Sequence, residues 1–336
     1  MKVSVIIPCR NEELYIGKCI DSVLAGNYPS NLIEILVCDG LSTDTTPIIV
    51  QDYSRKHPQV RLIENQAMYT PHALNAGIKA SEGDVVIILG AHSELSPDYI
   101  SQCIKILEQF PAVGCTGGLV KNIPMNAVSE IIAMAMASEF GVGNVRFRTG
   151  GKAGYVDTVA FGAYRREVFE KVGLFDERLV RNQDDEMNFR LTEYGYKIYF
   201  EPGISSNYYV RGSWKGLIRQ YYQYGYWKVC VNVMHRKITT WRQLVPFIFV
   251  MFVIFGALGS AFLPFIFPMY IAGLGVYFAG SVLSSIRQTS IPIKALKLMF
   301  AFFVLHASYG FGFAEGLCWF AILGRKPHQK TFRLSR

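Results

Sequence analysis

Apolar and polar positions alternate between two rhythms along the first part of the chain. Short β-branched runs, "VSVIIP", "IEILVCD", "VRLIEN" and "DVVIIL", are each followed by a stretch with helical periodicity: Leu14 to Leu24, Thr45 to Ser54, Ala73 to Ala80 and Pro97 to Gln109. Near-continuous apolar strands between helices predict a largely parallel sheet covered on both faces. "STDTTP" and "SPDY" mark two helix starts with capping hydroxyls and a proline near the first turn. Beyond "VGCTGGLV" a Met/Ala-rich segment, Met125 to Phe140, predicts a further helix, and "NVRFRTGGKAGY" predicts a basic, glycine-rich loop. From Asp157 the pattern gives a strand, a short helix, an acidic loop, a second helix and a closing strand near Glu201.

The rhythm then changes. Trp214, Leu217, Ile218 and Tyr221 fall at helical spacing with basic residues between them, which predicts a basic amphipathic helix at a bilayer interface. From Gln243 to Ile286 there is no Asp, Glu, Lys or Arg, a 44-residue tract far longer than a soluble core helix requires. Pro264 and Pro268 divide it into two spans, Leu244 to Leu263 and Met269 to Ile286. A third apolar segment, Leu298 to Leu323, is interrupted by His306 and Glu315. These two lie nine residues apart, on opposite faces of one helix, so helix packing or lipid head-group contact is expected of them rather than a shared proton relay.

Charge follows the same division. Residues 1 to 210 hold 19 Lys/Arg against 25 Asp/Glu, whereas 211 to 336 hold 15 against the single Glu315. Basic residues flanking apolar spans point to anionic lipid on the cytoplasmic side and away from nucleic acid. The apolar run after Val3 is too short for a signal-peptide core, so the first 210 residues are expected in the cytoplasm. Two spans return the basic stretch Arg287 to Lys297 to that side, whereas a third full span would export the basic tail "RKPHQKTFRLSR". Seven scattered cysteines without metal spacing predict reduced thiols. The expected organisation is a catalytic domain over 1–210, an interface segment over 211–242, a transmembrane region over 243–324 and a basic tail over 325–336.

Candidate chemistry gathers where strands end, because ligands of open parallel sheets bind beyond the strands' C-terminal ends. "PCRNEE" and "VCDGLSTDTT" place Asp39 and the residues after Pro8 around one crevice. Asp39 can accept hydrogen bonds from a base or ribose, or serve as an Asx-turn residue beside Gly40. "NQDDEMNFR" collects acids at a helix start, where they also suit the helix dipole.

In order and spacing, "VSVIIPCRNEE", "ILVCDGLSTDTT", "ALNAGIKASEGDVVIIL" and "VGLFDERLVRNQDDEMNFRL" resemble the family-2 glycosyltransferases with the GT-A fold, over about residues 1 to 230. "TPHALNAGI", "GAHSE", "VDTVAFGAYRRE" and "RGSWKGLIRQYYQYGYWK" resemble the succinoglycan-type branch, membrane enzymes that extend lipid-linked sugars for exopolysaccharides. The resemblance implies an α/β GT-A nucleotide-sugar-binding fold with a Rossmann-like mixed sheet, followed by an interfacial amphipathic helix and C-terminal transmembrane helices. It implies an inverting hexosyltransferase of the cell (inner) membrane, moving sugar from a UDP- or GDP-linked donor to a polyprenyl-diphosphate saccharide. Asp39 would recognise the donor's nucleobase, with Pro8, Arg10, Glu12, Asn75 and Ala91 at donor-contact positions. Asp184 would be the catalytic base, Asp185 its fallback, and Asp185, Arg211 and Trp227 would face acceptor or diphosphate.

Two departures stand out. The family writes Glu-Asp where this chain has Gln183-Asp184, and Asp-x-Asp where it has Gly90-Ala91-His92. His92 with Glu94 could hold Mn²⁺ or Mg²⁺, or His92 could pack in a turn, or Arg211 or Lys215 could pair with the diphosphate without metal. The Gln-x-x-Arg-Trp signature of processive relatives is absent after Gln220, which argues for single transfer. The competing functions are a polyprenyl-phosphate glycosyl synthase and a non-catalytic nucleotide-sugar scaffold.

Overall fold

The computed structural model describes residues 1–210 and 212–326. Arg211 and most of the basic tail lie outside the described residues. The chain forms two compact units: residues 1–121 with 145–209, and residues 122–144 with the segment from Val210 on.

The first unit is built on β1 (Val3–Cys9), α1 (Ile16–Leu24), β2 (Ile33–Asp39), α2 (Thr46–Lys56), β3 (Val60–Glu64), α3 (Thr70–Ala80), β4 (Val85–Ile88), β5 (Ser93–Leu95), α4 (Tyr99–Gln109) and β6 (Val113–Ile123). The chain then passes through α5 (Ala127–Met136) and α6 (Glu139–Val142) of the other unit. It returns with α7 (Arg146–Thr149), β7 (Gly154–Val156), β8 (Ala163–Arg165), α8 (Arg166–Val172), α9 (Gln183–Glu193) and β9 (Lys197–Tyr209). The helices predicted from periodicity are all present with shifted ends, except that Met125 to Phe140 is two helices. The break falls at Ser138, whose hydroxyl accepts from the Phe140 N–H and caps the second.

One mixed sheet carries the strand order β3-β2-β1-β4-β8-β6-β9-β5, with β7 on β9. β1 runs parallel to β2 and β4, and β2 to β3. β8 is antiparallel to β4. Because side chains alternate across a strand, Val3, Val5 and Ile7 enter one buried cluster with α1 and α4, while Ile6 enters the other with α3 and α9. That two-sided burial is why the strands read as continuous apolar runs.

The helical unit adds α10 (Trp214–His235), α11 (Val245–Phe262), α12 (Ile266–Gln288) and α13 (Pro292–Gly316). Among the described residues three segments are long and apolar enough to cross a membrane: Trp241–Phe262, Ile266–Gln288 and Pro292–Ile322. The first two are only 6% buried, so their apolar surface needs a non-aqueous solvent, whereas the third is 56% buried by its neighbours.

α10 differs from its expectation. Instead of one apolar stripe, Gly225 through Val231 are buried consecutively, so the helix is enclosed rather than lying flat on an interface. Glycine explains how closely it is enclosed: a Cβ on Gly225 would sit 2.0 Å from the Tyr309 carbonyl oxygen, and one on Gly312 would sit 2.0 Å from that of Tyr222. α10 and α13 therefore meet backbone to backbone, the small-residue packing of helices in lipid. His306 has the expected packing role, with Nδ1 2.9 Å from the Tyr277 hydroxyl and Nε2 2.9 Å from the Phe140 carbonyl oxygen, while Glu315 is exposed.

Candidate active site

The parallel register Cys9↔Asp39 sets the loops after β1 and β2 side by side. They are joined by a dense set of hydrogen bonds. Asn11 N–H donates to Ser42 Oγ (2.8 Å), Thr43 N–H to Asn11 Oδ1 (2.8 Å), Glu12 N–H to Thr46 Oγ1 (2.8 Å) and Thr45 Oγ1 to Glu13 Oε2 (2.7 Å). Asp39, 7% exposed, accepts from the Ser42 N–H (2.9 Å), the Ser42 hydroxyl and the Cys9 thiol (3.6 Å). Burial and the Asp39 charge hold that thiol protonated and hence a donor. Asp39 thus fills the turn role that its sequence allowed, with a carboxylate positioned at the strand end.

Pro8, on β1, and Arg10, just beyond it, line the same strand end, and Arg10 Nε is buried without a hydrogen-bond partner among the described residues. An unpartnered buried donor is costly and is expected where a ligand supplies the acceptor.

The loop after β4 is ordered differently from its expectation. Glu94 sits on β5 opposite Asn207 of β9, accepts from the Tyr209 hydroxyl and lies 3.4 Å from Asn207 Nδ2. That bond pushes the Tyr209 phenol up to about 12, which keeps it a donor. His92 Nδ1 instead lies 3.2 Å from Glu12 Oε1, its ring edge-on to Tyr208. Glu94 thus meets β9 while His92 meets the loop after β1, so the two candidate metal ligands have different side-chain partners. Among the described residues no three His, Cys, Asp or Glu side chains converge on a metal position. His92 and Glu12 supply two donors, enough only for an ion that takes its other ligands from diphosphate and water.

Gly90 has a steric reason. A Cβ there would approach the Phe161 ring to 3.2 Å, and Phe161 itself holds φ +52°. The aromatic occupies space beside the missing carboxylate. Ala91 is buried at 2% and offers only backbone.

Asp184 lies in the first turn of α9, behind Asn182 at φ +60°. It remains exposed, yet enclosure of its carboxyl, then the neighbouring Asp185, raise it above the usual carboxylate range. The charge of Asp184 is felt by Tyr164 on β8, whose hydroxyl donates to Asn188 (2.9 Å) one turn further along α9. β8 is paired with β4, so the strand that bonds to α9 through Tyr164 neighbours the strand that leads into the His92 loop. Glu186, expected only to suit the helix dipole, has a larger task. It makes a buried two-bond pair with Arg190 Nε and Nη2 (2.6 and 2.9 Å), while Arg190 Nη1 donates to the Val172 carbonyl and Nη2 also to that of Leu174.

Two further expected site residues have extensive protein contacts. Asn75 donates to the Phe175 carbonyl and Glu177 Oε1 (both 2.9 Å) and accepts from the Phe175 N–H (3.0 Å), so its amide ties α3 to the loop before α9. Trp227 is fully buried against Tyr226 and Phe320 in the helical unit. Lys215 is exposed on α10. Conversely, residues not singled out from sequence matter here. Ser42, three after Asp39, was signalled by the Asx-turn pattern. Tyr209 and Phe161 carried no local signal.

The Glycosyl transferase family 2 model matches residues 4–173, half of the chain. A dolichyl N-acetyl-alpha-D-glucosaminyl phosphate 3-beta-D-2,3-diacetamido-2,3-dideoxy-beta-D-glucuronosyltransferase of Methanococcus voltae is 31% identical, over 94% of this chain and 97% of its own length. The chain belongs to glycosyl transferase family 2. The glycosyltransferase is also 27% identical to the succinoglycan biosynthesis protein ExoA of Rhizobium meliloti, over 92% of this chain and 93% of that protein. Its fold matches a Pyrobaculum calidifontis mannosyltransferase solved with GDP-Man and Mn²⁺, at TM-score 0.57 and 21% identity, over 94% and 87% of the two chains. The glycosyltransferase accordingly has the GT-A fold, with three candidate membrane helices after it.

Proposed function

We propose that this glycosyltransferase moves a sugar, with inversion, from a nucleotide-sugar donor to a hydroxyl of a lipid-linked saccharide at the cytoplasmic face of a membrane. The observation that carries the reading is Asp184, an accessible carboxylate raised by enclosure and by Asp185, on a helix start held by the Glu186–Arg190 pair. Ionised Asp184 takes the proton of the acceptor hydroxyl. That oxygen attacks the anomeric carbon, and the bond to the diphosphate breaks with its electron pair leaving on the nucleotide. Asp39, Ser42, Pro8 and Arg10 form the donor end, where the unpartnered Arg10 Nε awaits an acceptor atom. A divalent ion, when bound, would sit at His92 and Glu12 and offset diphosphate charge.

The relative from Methanococcus voltae is named for transfer to a sugar already joined to a dolichyl phosphate, which favours a sugar hydroxyl over a bare lipid phosphate as acceptor here. A hydroxyl needs a base, whereas an ionised phosphate does not. The test is Asp184→Asn assayed on membranes with a donor panel and lipid-linked acceptors. Loss of transfer supports the reading, and undiminished turnover would sink the sugar-acceptor reaction.

A further inference from the structure

We infer that the helical unit contains a receiving groove for the isoprenoid chain of the acceptor, next to its phosphate. The inference rests on the lipid-linked acceptor proposed above. The groove, about 260 Å³, is walled by Ala127, Val128 and Ile131 of α5, Trp214 of α10, and Leu296 and Phe300 of α13. Its only charged lining residue is Lys297.

Polar contacts outside the groove fix these walls. Asn126 and Ser129 form a capping box on α5, and Asn126 Nδ2 also donates to the Gly212 carbonyl (3.2 Å) beside the start of α10. Lys294 pairs with Glu130 (2.5 Å), which joins α13 to α5. Trp214 and Phe300 meet edge to face, 5.1 Å between centroids. The groove is thus preformed, as small-molecule sites usually are.

Its chemistry selects the occupant. Lys294 is neutralised by Glu130, whereas Lys297 is exposed and has no acidic partner among the described residues. A single free cation beside an apolar cleft suits one anionic head on one apolar chain. The volume lies just below the usual range for ligand pockets, so it takes one chain rather than the two of a diacyl phospholipid. Leu296, Phe300 and Phe303, at i, i+4 and i+7 with 62%, 53% and 47% exposure, extend an apolar line along α13 for the chain to follow.

The test uses the full chain in detergent with a diazirine-bearing polyprenyl phosphate. Adducts are expected within 127–131, at Trp214 or within 296–300, and unlabelled polyprenyl phosphate should compete about tenfold better than phosphatidylglycerol. Ala127→Phe should reduce labelling without changing thermal melting or nucleotide binding, and Lys297→Glu should reduce labelling by the phosphate but not by polyprenol. Equal competition by phosphatidylglycerol would make the groove ordinary lipid-facing surface and overturn the inference, as would adducts confined to α11 and α12. Cross-linking needs no turnover, so full activity of Asp184→Asn would remove the transfer reading while leaving this result standing. Conversely, normal lipid-acceptor transfer by Ala127→Phe would remove the groove alone.

Discussion

The two units use the same residue types to opposite ends. In the sheet unit apolar side chains are hidden: every residue of β2 is buried, and polar groups appear at strand ends in a hydrogen-bonded crevice. In the helical unit α11 and α12 turn apolar side chains outward, and what is hidden between α10 and α13 is glycine against backbone. Water drives the first arrangement by expelling apolar surface, whereas lipid offers no such drive, leaving close packing to hold helices together. Exposure therefore has no meaning for this protein until the solvent is named.

The largest effect that would sharpen this contrast is chemical. Asp184→Asn should lower turnover by about 10²- to 10⁴-fold, the usual worth of a general base, without lowering the melting temperature at neutral pH. The sign follows from the raised carboxyl: its ionisation disfavours the folded state once pH passes its folded pKa, so removing it costs no stability there. The same shift predicts an activity profile whose acid limb lies above about 3.9, the ordinary Asp value. A limb below that value would show that Asp184 is not the base.

Next, Arg190→Ala should destabilise the sheet unit by about 3–5 kcal/mol, since it takes the two-bond cationic partner from a buried carboxylate. Denaturant unfolding would measure it.

A matched pair then tests the solvent itself. Val276, 76% exposed on α12, and Ile48, 61% exposed on α2, both face outward. Val276→Asp should cost about 2.5–3.5 kcal/mol in membrane insertion, while Ile48→Asp should change stability by only about 0.5 kcal/mol. Equal costs would break the comparison, because α12 would then face water.

Gly312→Ala should cost about 1–3 kcal/mol through overpacking against Tyr222. Thermal melting in detergent should fall while nucleotide binding by the sheet unit stays intact. The smallest effect is Ser42→Ala, which removes one support of Asp39 and should weaken donor binding by about 0.5–1.5 kcal/mol with kcat nearly unchanged.

Local pattern carried much of this architecture. Strands and helices of the sheet unit, the apolar tract from Gln243 and the charge division were legible because periodicity and hydropathy act over neighbouring residues. The Asp39 turn and the acidic start of α9 were legible for the same reason. Partnerships over long separations were not. Glu94 meets Tyr209 and His92 meets Glu12 only because β5 pairs with β9 in one register and β4 lies beside β1. A slip of one residue would have turned each side chain to the other face.

The sequence by itself thus determined that an acidic α/β enzyme unit is followed by a basic, membrane-seeking one, since composition and spacing alone carry those preferences. Tertiary structure alone decided that Asn75 bonds to Phe175, that Trp227 is buried, that residues 122–144 group with the helices, and that the loop "GAHSE" presents His92 to Glu12. Such contacts depend on which buried polar groups find partners across the fold, and no local pattern encodes that choice.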